Sequence, residues 1–179
     1  MIFRFDDISV NSDMVLVNQM TDYILDTIED ARVIWAVSPM VYALDNEKVK
    51  GRVFPSIFNA YSDHRKFYKI DKIGVPELHP NVTSAGHGLF HVDHRLLTYE
   101  VQEMSIISSC HLVGANIFVP PFNKWNKDTE SICIENGIVL IKWENNWLSC
   151  EHNKFDSEHE KWYVHSYAWT FDKFKEWLK

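Results

Sequence analysis

Residues 87–94 read His-Gly-Leu-Phe-His-Val-Asp-His, which brings three imidazoles and a carboxylate into one short stretch of chain. A lone histidine is usually a packing or surface residue, whereas this density of donors suits a divalent metal ion. His87 and His91 share a face if the segment is helical. His91 with His94, or Asp93 as an oxygen ligand, makes a rival set. Near the start of the chain, Asp6-Asp7 follows an apolar run, and such a pair alone is ordinarily a solvated turn at a strand end. Two imidazoles plus one carboxylate leave coordination positions open on a zinc-type ion, the pattern of a catalytic site. An ion held so lowers the pKa of a water and polarises a carbonyl oxygen. Cleaving an amide still needs a base for the water and an acid for the departing nitrogen. Asp6 and His165 have side chains suited to those two tasks.

Strands and helices must position these groups. Residues 1–5 alternate and favour β structure, so a first strand is expected to end just before Asp6. Residues 18–31 place Met20, Ile24, Ile28 and Ala31 at helical spacing, and residues 32–37 follow as a short buried strand. Residues 39–80, punctuated by Pro39, Gly51, Pro55, Gly74, Pro76 and Pro80, read as an irregular excursion. Strands are expected at 81–85, 116–119, 138–142 and 162–165. Helices are expected at 96–113, stopped by Gly114, at 128–136 before Gly137, and after a Thr170 cap with Phe171, Phe174, Trp177 and Leu178 on one face. Alternating strands and helices favour a parallel sheet covered by helices, either doubly wound or closed into a barrel. Asp6-Asp7, His87, Pro120-Pro121-Phe122 and His165 all follow the C-terminal ends of expected strands, the face where active sites of such folds gather.

Composition narrows the function. With 179 residues and 46% hydrophobic side chains, the chain suits a single domain over 1–179. A formal net charge of -7 argues against nucleic acid, whose phosphates call for a basic face. No apolar run approaches the ~18 to 20 residues of a membrane span. Acids at positions 6 and 7 interrupt any secretory leader, so a cytoplasmic location is expected. Cys110, Cys133 and Cys150 are an odd number without C-x-x-C spacing, so three free, packed thiols are expected rather than disulfides or a thiolate zinc site.

Taken in order, Phe5-Asp6-Asp7, His87-Gly88-x-x-His91, Val119-Pro120-Pro121-Phe122 and Tyr163-Val164-His165 resemble the motifs of the polysaccharide deacetylase (NodB-like) family, across nearly the whole chain. The resemblance implies a distorted (β/α) barrel of parallel strands with outer helices. It implies that Asp7, His87 and His91 hold the metal, zinc or another first-row divalent ion, that Asp6 is the general base and His165 the general acid. It also implies a backbone N–H of Phe122 in an oxyanion hole, with Pro121, Asn123 and Trp125 on the substrate side. The activity implied is removal of an acetyl group from an N-acetylated sugar or glycan by metal-activated water. Val119 departs from the family, which has an arginine there to pair with the catalytic aspartate; Arg4 and Lys124 are candidate replacements. The acidic partner of the final histidine is sought among Glu144, Asp156, Glu158 and Glu160. Two other readings compete: hydrolysis of a different non-peptide C–N bond, and a carbohydrate-binding protein that keeps the fold without turnover. His111 is expected to be structural, and His64, His79, His152 and His159 to lie at the surface. Trp125, Trp143, Trp147 and Trp169 fall near strand ends, where an indole stacks on a sugar less often than it packs in a core.

Overall fold

The computed structural model describes residues 1–9, 12–39, 79–142 and 147–179. Most of the expected irregular excursion, His64, Trp143 and Glu144 lie outside the described residues. The chain runs β1 (Ile2–Ile8), α1 (Met14–Thr27), β2 (Arg32–Val37), β3 (Val82–Gly86), α2 (Tyr99–Leu112), β4 (Ile117–Phe118), α3 (Lys127–Glu135), β5 (Val139–Leu140), β6 (Leu148–Ser149), β7 (Lys161–His165) and α4 (Phe171–Trp177). Short 3-10 turns occupy His94–Leu96, Pro121–Asn123 and Ser166–Ala168. The strands form one parallel sheet in the order β5-β4-β3-β2-β1-β7-β6. It curls into a distorted (β/α) barrel, and among the described residues β5 and β6 are its edges.

Each strand presents its odd and even residues to opposite faces, and both faces of the central strands are buried, as expected where helices cover a parallel sheet. Phe3 and Phe5 of β1, Val33, Trp35 and Val37 of β2, and Trp162 and Val164 of β7 form the main core with Val17, Met20 and Ile24 of α1 and Phe174 of α4. Fully burying one such apolar side chain contributes roughly 1.5–3 kcal/mol, so this layer fixes the strand register. Trp35 Nε1 also donates to Thr21 Oγ1 at 3.1 Å, tying β2 to α1. The inner face carries small side chains, Ala36 and Ala85 with Ile34 and Val119, and next to them Arg4 and Asp6, both buried.

Helix ends follow their local chemistry. The Asp13 side chain accepts the amides of Val15 and Leu16 and starts α1, four residues earlier than the apolar spacing alone suggests. Asn126 and Thr129 form a capping box on α3, and Gly114 and Gly137 adopt the positive φ that closes the preceding helices. Cys110, Cys133 and Cys150 are free and buried; burial pushes the thiols of Cys110 and Cys133 up to about 11 and about 12. No helix among the described residues is long and apolar enough to cross a membrane.

Two expectations are corrected here. The first strand does not end at Phe5: β1 continues through Asp6 and Asp7 to Ile8, with a register shift against β2 between Phe5 and Ile8. His111 is exposed at the end of α2 instead of structural.

Candidate metal centre

Asp6 and Asp7 are consecutive, so in a regular strand they would point to opposite faces. Asp7 instead has φ 60, a left-handed conformation that aspartate tolerates better than most residues. That break in β1 turns both carboxylates into one cleft of about 440 Å³, lined also by His87, His91, Phe122, Asn123, Lys124, Tyr163, His165 and Tyr167.

His87 follows the end of β3 and is 2% exposed. Its Nδ1–H donates to the Val119 carbonyl at 2.7 Å, which leaves the Nε2 lone pair facing the cleft. Nε2 of His87 lies 3.1 Å from Asp7 Oδ1, and Nε2 of His91 lies 2.7 Å from the same oxygen. Asp7, His87 and His91 each offer a donor atom, all within 4.8 Å of one another, the one such group among the described residues. Burial alone would raise the Asp7 pKa, but the His87 and His91 imidazoles against its carboxylate outweigh it and hold the carboxyl well below the usual range. Nitrogen and oxygen donors converging on one point fit a divalent first-row ion.

The two imidazoles meet through a loop and not along a helix face. Gly88 has φ 76, and a Cβ there would meet His94 Cε1 at 2.6 Å and the Phe90 carbonyl at 2.8 Å. His94 underpins that loop. It is fully buried, which pushes its pKa down to about 4, so its neutral ring donates from Nδ1 to the Val92 carbonyl and accepts the Ser105 hydroxyl at Nε2, both at 3.0 Å. Ser105 Oγ in turn accepts the Leu89 amide at 2.9 Å. His94 is thereby occupied within the fold, away from the donor cluster. Asp93 likewise caps the 3-10 turn and pairs with Arg95.

Arg4 stands two residues before Asp6 on the same inward face of β1. Its Nε donates to Asp6 Oδ1 at 2.7 Å and its Nη2 to Asp6 Oδ2 at 2.6 Å. Nη2 also donates to Asn123 Oδ1 at 2.7 Å, and the guanidinium lies 4.6 Å from the Trp147 ring centroid. An arginine thus reaches the aspartate from strand β1 while Val119 packs among apolar neighbours. Lys124, the other candidate, sits at the cleft rim 3.9 Å from Asp93.

His165 ends β7 directly beside Asp6, its register partner on β1. Its acidic partner is Glu151, a residue missing from the sequence candidates: Glu151 Oε1 accepts the His165 backbone N–H at 2.8 Å and its Nδ1–H at 3.1 Å. Burial lowers the His165 pKa, yet the bond to Glu151 and the nearby Asp7 and Asp6 carboxylates raise it on balance. The turn after β4 gives Phe122 and Asn123 left-handed φ values of 56 and 54, a strain worth about 1–3 kcal/mol per residue that tends to mark functional sites. It sets the Phe122 ring 4.4 Å from that of His91 and Asn123 against Arg4. Pro121 is buried, and Trp125 donates to Glu130 at 3.3 Å; neither lines this cleft. Trp147 is buried against Arg4, and Trp169 packs on Phe174 and Trp177.

No family model and no curated protein matches the chain. Solved structures do. A family 4 carbohydrate esterase from Streptomyces lividans in complex with acetate has a TM-score of 0.54 at 15% identity, over 99% of this chain and 82% of that one. A peptidoglycan deacetylase, PdaC, from Bacillus subtilis, solved as a point mutant, has 0.54 at 12% identity over 98% and 82%. A family pseudoenzyme from Bacillus anthracis has 0.55 at 11% identity over 99% and 60%, and a mutant of it with restored enzymatic activity aligns equally well, at 0.55. The chain therefore has the fold of the polysaccharide deacetylases, the family 4 carbohydrate esterases.

Proposed function

We propose that this protein is a metal-dependent hydrolase that removes the acetyl group from an N-acetylated sugar or glycan. The observation that carries the reading is the meeting of an N,N,O donor set with a paired carboxylate and a paired imidazole in one cleft. Asp7, His87 and His91 would hold the ion, zinc being the first choice for that set. Such an ion supplies Lewis acidity at a carbonyl oxygen and lowers the pKa of water.

The chain's own residues supply the rest. Asp6, oriented on both oxygens by Arg4, takes the proton of the attacking water. His165 delivers a proton to the departing nitrogen, because an amine leaves far more readily than an amide anion. Glu151 holds Nδ1 of that ring, so Nε2 is the atom turned toward Asp7 and the cleft, 3.7 Å from Asp7 Oδ2. The N–H of Phe122 is proposed as the donor to the oxyanion, from a turn whose strained backbone is held by the Arg4–Asn123 bond.

A second reading, a carbohydrate-binding protein without turnover, is favoured by Val119 and by the pseudoenzyme that shares the fold. Arg4 on Asp6 speaks against it. Zinc-loaded protein should release acetate from some member of a panel of N-acetylated sugars and chitin or peptidoglycan fragments, and Asp6→Asn should lose most of that turnover while still binding zinc. Bound zinc without acetate release across the panel would favour the binding protein. Acetate-free cleavage of other amides would point to another C–N hydrolase.

A further inference from the structure

Tyr167 is 73% exposed, yet its side chain is tied at both ends. Its ring stacks on the His165 imidazole, with centroids 5.3 Å apart and planes at 28°. Its hydroxyl donates to Asp7 Oδ2 at 3.5 Å. The short turn Ser166–Ala168 that follows β7 carries it back over the strand end.

The two oxygens of Asp7 face different neighbours. Oδ1 meets Nε2 of His87 and of His91, whereas Oδ2 meets Nε2 of His165 and the Tyr167 hydroxyl. A carboxylate turns readily about its last bond, so contacts at one oxygen leave the plane of the group loosely set. A donor on the outer oxygen narrows the range of that plane, and outer partners of this kind change metal affinity by roughly 10–100-fold. For His165, the bond from Nδ1 to Glu151 fixes one axis of the ring and leaves its tilt about that axis open. An offset ring against one face restricts the tilt.

We propose that Tyr167 is a positioning residue for both halves of the site: its hydroxyl holds the plane of the Asp7 carboxylate so that one oxygen faces the imidazoles, and its ring holds His165 square to the cleft. This inference rests on the metal-hydrolase reading and extends it to a residue outside the recognised motifs. An exposed ring above a sugar site has an obvious rival use as a stacking platform for substrate, and the two uses separate kinetically: a platform acts on KM, a positioning residue on metal affinity and kcat.

The test uses the full chain and two variants, Tyr167→Phe and Tyr167→Ala, whose exposed position spares the fold. Zinc affinity is measured on metal-free protein by competition with a chromophoric chelator, and kcat and KM on an N-acetylated sugar that the wild type cleaves, at saturating zinc. Both variants should bind zinc about tenfold more weakly or worse. Phe should keep kcat once zinc is saturating, because the stacked ring remains; Ala should lose kcat with KM nearly unchanged. Zinc affinity equal to wild type in both variants overturns the proposal, as does a rise in KM at constant kcat for Ala. A wild type that takes up no zinc defeats the metal reading itself and the inference with it. Zinc bound equally by all three proteins defeats the inference alone, and this arm reads out without any substrate.

Discussion

Replacing Arg4 with methionine removes a guanidinium that is fully buried and leaves Asp6, 4% exposed, without the cation that meets both its oxygens. Breaking a buried pair by deleting one partner costs about 3–5 kcal/mol, mostly because the surviving charge is stranded. The lost bond to Asn123 and the lost contact with Trp147 add to this, the latter by up to about 2 kcal/mol in a desolvated place. Arg4→Met should therefore lower stability by at least about 4 kcal/mol, a fall in Tm of the order of 10 °C or more for a chain of this size. The stranded-charge argument makes a sharper statement about pairs. Asp6→Asn should also destabilise, and Arg4→Met combined with Asp6→Asn should be more stable than Arg4→Met alone, since no unpaired carboxylate remains. Urea unfolding followed by tryptophan fluorescence on the four proteins gives the coupling energy. A single-variant loss under about 1 kcal/mol, or strictly additive effects, would refute the reasoning.

On the proposed reading, in which protonated His165 is the working form, Glu151→Gln should move the high-pH fall of the rate to lower pH: the His165 pKa is raised by Glu151 among others, so activity would be present below that pKa and lost as pH rises through it. An unmoved basic limb in the pH–rate profile would count against Glu151 as the partner. Gly88→Ala, at φ 76 with His94 and the Phe90 carbonyl in the way of a Cβ, should cost about 2 kcal/mol or more and weaken zinc uptake; Gly114→Ala, at φ 65 with open space around it, should cost only about 1–2 kcal/mol and leave zinc uptake alone. Calorimetry and metal content on both variants check this. His165→Ala should slow an amide substrate far more than an ester with a good leaving group, with zinc retained; equal slowing of both would remove His165 as the acid.

Much of the scaffold was legible because buried parallel strands and capped helices leave local signals. β2 appears at residues 32–37 as expected, and β7 begins one residue before its expected start. Where reading failed, the cause lies between segments. Acids at 6 and 7 looked like a strand end, since no one-dimensional pattern announces that Asp7 adopts a left-handed φ and the strand resumes at Ile8. His87 and His91 pair through the family-like His-Gly-x-x-His pattern, but the helical face they would share is absent: a glycine turn seated on His94 and Ser105 brings them together. The sequence offers both Arg4 and Lys124 as the cation for Asp6, and only the fold, which sets Arg4 on both Asp6 oxygens and Lys124 near Asp93, separates them. Glu151 had no signal of its own: it follows β6, a two-residue strand that exists through pairing with β7, and pairing partners are set by the whole fold.

Asp6 and His165 are lateral neighbours on hydrogen-bonded parallel strands, and the spacing of those strands sets how far apart the two side chains start. Adjacent strands sit about 4.8 Å apart whatever side chains they carry, so on the proposed reading the sheet would act as a ruler for the span between proton acceptor and proton donor. Loops around the mouth can lengthen, shorten or change composition, and selection can thereby retarget what enters. Such changes would leave the strand spacing, and with it the span from Asp6 to His165, where it is.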